Sequence, residues 1–174
     1  MREAARLEAG EEAERARRLG VDPKAPIEEQ LETYRASVED TSGVDLSDPS
    51  ARLLRGPATE AFLRLEVVQE RLRGLGREER AATLGKIREG LGWGEDALVR
   101  QAAVDAAKQR KWDEGLAYMT EREALLVEHD EGEALEAELS ELRERYFGDA
   151  AVTLGREEAA GFFRFSRRRV IGRN

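Results

Sequence analysis

The 174-residue sequence contains no cysteine, one histidine and four prolines. Without cysteine the chain can form neither disulfides nor thiolate metal sites, and it has no cysteine nucleophile. The single imidazole, His129, lacks the second histidine or cysteine that metal and hydrolytic sites usually require, so we interpret it as part of a solvated helix end. Because no set of nucleophile, base and oxyanion donors can be assembled, we predict that the protein is not an enzyme and needs no metal or cofactor.

Long apolar runs are absent as well. The longest are a few residues, whereas about 20 are needed to cross a bilayer. The N-terminal residues are rich in Glu, Arg and Ala and show no apolar core of a signal peptide. We therefore predict that this sequence contains no membrane span.

Glu, Arg, Leu and Ala dominate what is present, and this composition favours helices over sheets. Apolar residues recur at spacings of four, three and four over 27–38 and 135–146, and 62–72 also form one helical face. Residues 95–129 contain no proline and keep a near-helical repeat that includes Trp112 and Leu116, which we expect to be structural anchors. We expect an all-α fold, an extended multi-helix arrangement of coiled-coil-like helices with one long helix around 95–129.

The proline and glycine positions predict where the other helices begin and end. One helix follows Pro26, and a second is expected to begin near Pro57 and to end at Gly74 or Gly76. A third runs from Arg77, and the last begins near Arg156 and carries Phe162 and Phe163. These positions give the expected pattern of short helices around the long one.

The same signals suggest three regions. Residues 1–25 form a weakly ordered or helical N-terminal extension, because they have few large apolar side chains. Residues 26–163 form a helical domain with a linker at 40–50, where turn-forming residues collect. Residues 164–174 form a basic tail.

Charge is distributed unevenly along the chain. The net charge is -8, yet the tail carries several arginines and no acid. Its interleaved phenylalanines and arginines are suited to stacking on bases, but the acidic remainder repels a polyanion within a Debye length of about 8–10 Å. We therefore predict that the tail contacts an acidic protein partner or the chain's own acidic surface, and that no nucleic acid is bound.

From Lys111 onward a longer pattern of aromatic, Gly and Arg positions appears. A Trp or other aromatic precedes an aromatic-bearing helix, and a Leu-Arg-x-x-x-Phe-Gly step follows. A Gly-Glu or similar pair comes next, and aromatic and Arg positions lie on a further helix. The residues of this pattern are Trp112, Tyr118, Leu142, Arg143, Phe147, Gly148, Gly155, Glu157, Phe163, Arg164 and Arg168. The pattern resembles the helical modules of bacterial lipase-specific foldases, also called lipase chaperones, in a shortened form. The Arg-x-x-Phe-Asp-Tyr signature of that family does not occur in these residues, and neither does its N-terminal membrane anchor.

The resemblance implies a non-enzymatic steric chaperone that binds a protein client, a secreted hydrolase such as a lipase, in the periplasm. It implies that the client is contacted by the aromatic and arginine positions of the pattern: Trp112, Tyr118, Arg143, Phe163, Arg164 and Arg168. The residues alone leave a second hypothesis open. In it the protein is a cytoplasmic helical adaptor or regulatory protein that forms homo-oligomers or binds partner helices through the apolar faces of 27–38 and 135–146.

Overall fold

The computed structural model describes residues 20–130, 132–166 and 169–172. Every regular element in these ranges is helical, which confirms the predicted all-α class. The chain divides into a first unit, up to Asp105 together with residues 170–172, and a second unit, residues 106–169. The helices in chain order are α1 (Ile27–Ser42), α2 (Arg52–Leu63), α3 (Glu66–Gly74), α4 (Arg77–Gly90), α5 (Glu95–Glu128), α6 (Glu133–Phe147) and α7 (Ala151–Ala159).

Helix α1 follows the predicted pattern. Leu31 and Tyr34 are buried, and two further residues of the expected face, Ile27 and Val38, pack against the same core. The helix ends at Gly43, whose φ of 68° is left-handed and therefore favours glycine. The predicted linker at 40–50 thus begins inside α1, because this glycine comes three residues after the first turn former.

The sequence predicted one helix from near Pro57 to Gly74 or Gly76. The predicted start was wrong, and the structure has two helices, α2 and α3, in place of one. Helix α2 begins at Arg52, five residues earlier, and Pro57 lies inside it. The turn before this proline is held because the Arg55 guanidinium donates to the carbonyls of Leu46 and Asp48, at 2.8 and 2.7 Å. The chain then leaves the helix at Leu65, which is buried in an extended conformation before α3 begins.

A glutamine side chain stabilises this break between α2 and α3. The buried Gln69 amide donates to the Leu63 carbonyl at 2.6 Å, replacing a helical bond that the break removes. The same side chain bonds both backbone groups of Ile171, donating to its carbonyl and accepting from its N–H at 3.0 and 2.8 Å. Residues 170–172 are thereby held within the first unit.

The first unit has a large apolar core. Its members come from the segment before α1, from α1 to α4, from the connecting loops and from the C-terminal residues: Val21, Leu31, Tyr34, Leu46, Ala51, Ala58, Phe62, Leu63, Leu65, Val68, Leu72, Leu84, Ile87, Leu91 and Ile171. Residues 1–19 of the predicted N-terminal extension lie outside the described residues, whereas Val21 and Ala25 are buried. The burial of apolar surface therefore accounts for most of the packing in this unit.

The predicted long helix is confirmed as α5, 34 residues from Glu95 to Glu128. The last helix was predicted to begin near Arg156, but α7 begins at Ala151, directly after a 3-10 turn at Gly148–Ala150. It ends before Gly161, whose left-handed φ of 75° turns the chain. Phe162 and Phe163 consequently lie beyond the helix that was expected to carry them.

Candidate functional site

A buried carboxylate organises the second unit. Glu158 of α7 accepts a hydrogen bond from the Tyr118 hydroxyl of α5 at 2.7 Å and another from Arg143 Nε of α6 at 3.1 Å. Arg122 Nε of α5 lies 3.4 Å from the same carboxylate. We call these four residues the Glu158 cluster; it joins the three helices of the unit.

The members of this cluster are withdrawn from water. Tyr118 is fully buried, and Arg143 and Glu158 are each 7% exposed. Burial raises the pKa of Tyr118 to about 12, and its bond to Glu158 acts in the same direction. Burial alone lowers the pKa of Arg143, but the hydrogen bonds to Glu136 and Glu158 outweigh that effect and raise it above its ordinary value. At neutral pH the phenol is therefore protonated and the guanidinium is charged.

An aromatic group packs beside the Glu158 cluster. The Tyr118 ring lies 5.0 Å from that of Phe147, and Phe147 stacks on Phe165 with ring centres 5.6 Å apart. Phe165 also meets Trp112 edge-on at 5.8 Å and covers Gly115 so closely that a Cβ there would lie 2.1 Å from its ring. A glycine is required in the middle of α5 because Phe165 occupies the place of a side chain.

The described part of the basic tail packs on the chain itself. Arg164 bonds the Glu157 carboxylate, which lowers the pKa of Glu157 and raises that of Arg164. Arg169 lies over the Trp112 ring, 5.6 Å from its centre. Arg164 and Arg169 thus contact side chains of the second unit, and Ile171 bonds Gln69 of the first unit.

Four of the six predicted partner-binding residues meet in or beside the Glu158 cluster. Tyr118 and Arg143 belong to it, Phe163 lies under the Arg122 guanidinium at 4.9 Å, and Trp112 joins through Phe165. Arg164 is exposed and bonded to Glu157, and Arg168 lies outside the described residues. Tyr118 and Arg143 are placed to hold the helices together, and a partner could touch them only after the unit opened.

Sequence reasoning missed Glu158, Arg122, Gly115 and Phe165. Glu158 is one of many glutamates in a chain that is 38% charged, so nothing in its local sequence separates it from a solvated one. Gly115 did carry a signal, because it is a lone glycine three residues before Tyr118 in a proline-free helix.

The surface of α5 is the other feature of interest. Gly115 and Tyr118 are the buried residues of this helix, and several of its large apolar side chains are exposed: Val99, Val104, Leu116, Leu126 and Val127. Leu116, which the sequence suggested as a structural anchor, is 44% exposed, and Val127 is 84% exposed. Exposed Thr120 and Glu123 lie on the same side of α5 as these two residues, because the four recur at helical spacings of four, three and four. We call Leu116, Thr120, Glu123 and Val127 the exposed α5 face.

His129 is placed just beyond α5, with Nε2 at 3.1 Å from the Glu138 carboxylate. In the described part of the chain no group of three or more acidic or histidine side chains could hold a metal ion. None of the described helices combines the length and apolar character needed to cross a membrane. No family model matches the chain, and comparison with curated proteins and with solved structures finds no match.

Proposed function

We propose that the chain is a non-enzymatic helical protein-binding protein that acts as a steric chaperone. The observation that carries the proposal is the surface of α5, a 34-residue helix with two buried residues and several exposed apolar ones. Isolated apolar side chains are ordinary on protein surfaces. Here they recur along one helix, and Leu116 and Val127 share a side of it. An amphipathic contact of this kind suits a client with an apolar groove or helix.

The Glu158 cluster fixes the position of α5, which carries the exposed α5 face. Tyr118 and Arg122 hold α5 to α7 through Glu158, and Gly115 lets Phe165 press against the same helix. These contacts hold the exposed α5 face in one position within the second unit. A preformed surface binds with less loss of conformational entropy than a flexible one does.

The resemblance to lipase-specific foldases supplies the client class. We propose a secreted hydrolase such as a lipase, met in the periplasm. No chemical energy is required for such assistance, because a protein that binds the folded form or its precursor better than the unfolded chain shifts the equilibrium by mass action. The apolar and acidic surface of this chain supplies that binding energy.

The apolar faces on which the adaptor hypothesis depended are covered within the chain. Leu31 and Tyr34 are buried in the first unit, and Leu139 and Leu142 are buried in the second. Self-association through these two faces would require the units to open. We therefore retain the chaperone as the proposed function.

The test is reactivation of a chemically denatured bacterial lipase, diluted with and without an equimolar amount of the chain. We expect the chain to raise the recovered activity, and we expect Val127→Glu to abolish that gain, because a charge replaces an exposed apolar contact. Val152→Glu is the matched control, since Val152 is 66% exposed on α7 and lies off the exposed α5 face. Circular dichroism checks that both variants stay folded. Equal recovery with wild type and Val127→Glu, or no gain from either, would contradict the proposal.

A further inference from the structure

A second exposed face runs along α5. Its positions alternate by four and three residues, and all nine of them are exposed: Val99, Ala103, Ala106, Arg110, Asp113, Ala117, Thr120, Ala124 and Val127. We call these nine residues the α5 seam. It shares Thr120 and Val127 with the exposed α5 face and is otherwise distinct from it. A strict seven-residue repeat of this kind is the pattern by which one α-helix pairs with another along its length.

Most of the α5 seam is apolar and small. Four of its nine members are alanines, and Val99 and Val127, at its two ends, are 66% and 84% exposed. Burying an alanine costs no side-chain rotamer entropy. Small side chains also let two helix axes approach to the short end of the usual range of about 8–10 Å. The seam can therefore pack closely against a second helix.

Two opposite charges lie at the centre of the α5 seam, and they decide what that second helix is. Among the residues that the structure describes, exposed Arg110 forms no ion pair. Asp113, one turn further on, accepts a hydrogen bond from the Gln109 amide at 2.7 Å, and a carboxylate can accept several such bonds. A helix that covers the seam must therefore present an acid to Arg110 and a base to Asp113. The α5 seam itself carries that pair of charges.

A second copy of the seam meets this requirement in one orientation only. If two copies ran parallel and in register, Arg110 would face the partner's Arg110 and Asp113 would face the partner's Asp113, and both contacts would repel. If the copies run antiparallel about a twofold axis midway between these two residues, each Arg110 faces the partner's Asp113. The two central contacts of the antiparallel pair are then both attractive.

The same axis aligns the positions on either side of the charges. It sets small or apolar residues against one another: Ala106 faces the partner's Ala117, Ala103 faces the partner's Thr120, and Val99 faces the partner's Ala124. A shift by one heptad would set Arg110 against the partner's Thr120 or Ala106 and leave its charge unpaired between the helices. Polar residues within such seams are known to fix the register for this reason. One orientation and one register therefore satisfy the α5 seam.

We propose that two copies of this chain pair through their α5 seams as an antiparallel coiled coil. The occupant is a second copy because the charges of the seam complement themselves. This inference goes beyond the proposed function. Pairing and client binding both use Thr120 and Val127 and therefore compete, whereas Arg110 and Asp113 lie outside the exposed α5 face.

The first experiment exchanges the two charges in the full chain and measures the dimer dissociation constant by analytical ultracentrifugation. We expect wild type to dimerise as its concentration rises, and Arg110→Asp to raise Kd at least about tenfold, because it sets acids against each other in both central contacts. Adding Asp113→Arg to Arg110→Asp restores the opposite charges and should return Kd to within about threefold of wild type. Lys111→Asp is the matched control, since Lys111 is exposed beside Arg110, lies outside the seam and undergoes the same charge change. Circular dichroism checks that each variant stays helical.

The second experiment tests orientation and register by disulfide formation, which the absence of cysteine from the chain makes unambiguous. Ala106→Cys and Ala117→Cys, mixed in equal amounts under mild oxidation, should form a covalent dimer that joins the two different variants. Each variant alone should not cross-link, because identical positions lie about 16 Å apart along the antiparallel pair, too far for a disulfide.

Three results would overturn the proposal. They are dimerisation of Arg110→Asp equal to that of wild type, failure of the charge-exchanged variant to dimerise, and cross-linking of each cysteine variant alone as readily as in the mixture. A wild-type chain that stays monomeric at every concentration would overturn it as well. Lipase reactivation is measured in neither experiment, so failure of the chaperone proposal is distinguishable from failure of this one.

Discussion

The two units are built on different kinds of core. The first unit packs a large set of aliphatic and aromatic side chains, among them Phe62, Val68 and Leu72, which are all fully buried. The second packs Tyr118, Leu142 and Leu154 beside an ion-paired carboxylate. The comparison shows how one helix-forming composition can be held together either by apolar area or by a few aromatic contacts and a satisfied buried charge.

The difference concerns specificity as much as stability. Apolar cores tolerate rearrangement when volume is kept, whereas the Glu158 carboxylate must meet the Tyr118 hydroxyl and the Arg143 guanidinium in one geometry. This geometry sets the rotation of α5 about its own axis within the second unit. The exposed α5 face is the result, since Leu116 and Val127 point away from the cluster that Tyr118 enters.

The largest expected effect comes from neutralising Glu158. Glu158→Gln leaves Arg143 and Arg122 facing a neutral amide in a buried site, and we expect it to cost about 3 kcal/mol of unfolding free energy, measured by urea denaturation. Glu144→Gln, at an exposed position of α6, is the control and should change it by less than about 0.5 kcal/mol. Similar stabilities for the two variants would show that the second unit relies on apolar packing as the first does.

A smaller effect is expected at alkaline pH. The pKa of Tyr118 is raised from 10 to about 12, so its proton stays bound in the folded chain after it has left the unfolded one. The contribution of this group to stability is complete below pH 10 and is lost between pH 10 and 12. Tyr118→Phe should remove the tyrosine that titrates near pH 12 in an absorbance titration and flatten this part of the pH–stability curve. An unchanged curve in the variant would contradict the buried hydroxyl.

The smallest effects compare one substitution in both units. Gly115→Ala should destabilise the second unit by about 1–3 kcal/mol, because the new Cβ collides with Phe165. Gly85→Ala in α4 of the first unit meets open space and should stabilise by up to about 1 kcal/mol through helix propensity. Thermal unfolding gives both values. Stabilisation by both substitutions would mean that Phe165 does not rest on Gly115.

The helical class and the buried faces of α1 and α6 could be predicted from the sequence, because their apolar residues recur with the 3.6-residue period of a helix. Leu31, Tyr34, Leu139 and Leu142 follow this period, and all four are buried. The sequence was insufficient where tertiary contacts override local preference. Pro57 lies inside α2, where Arg55 bonds carbonyls seven and nine residues earlier, and the break between α2 and α3 is stabilised by the bond from Gln69 to the Leu63 carbonyl. The hydrogen-bond partners of Arg55 and Gln69 cannot be predicted from the residues next to them in the sequence.

The candidate site shows the same division. Tyr118, Arg143 and Phe163 were identified through the foldase-like pattern, and the structure brings them together. Glu158, at the centre, was missed because a buried glutamate and a solvated one look alike in a Glu-rich helix. Leu116 was expected inside for its position in the apolar repeat, yet Gly115 takes the inner position and leaves it exposed.

The claim that the exposed α5 face meets the client is tested most directly by hydrogen exchange, followed by mass spectrometry of proteolytic fragments, on the full chain alone and with denatured lipase. We predict added protection in residues 112–128 and none in α4, because binding at Leu116 and Val127 suppresses local opening of α5. Protection that appears in α4 and not in α5, or no change in any fragment, would contradict the account.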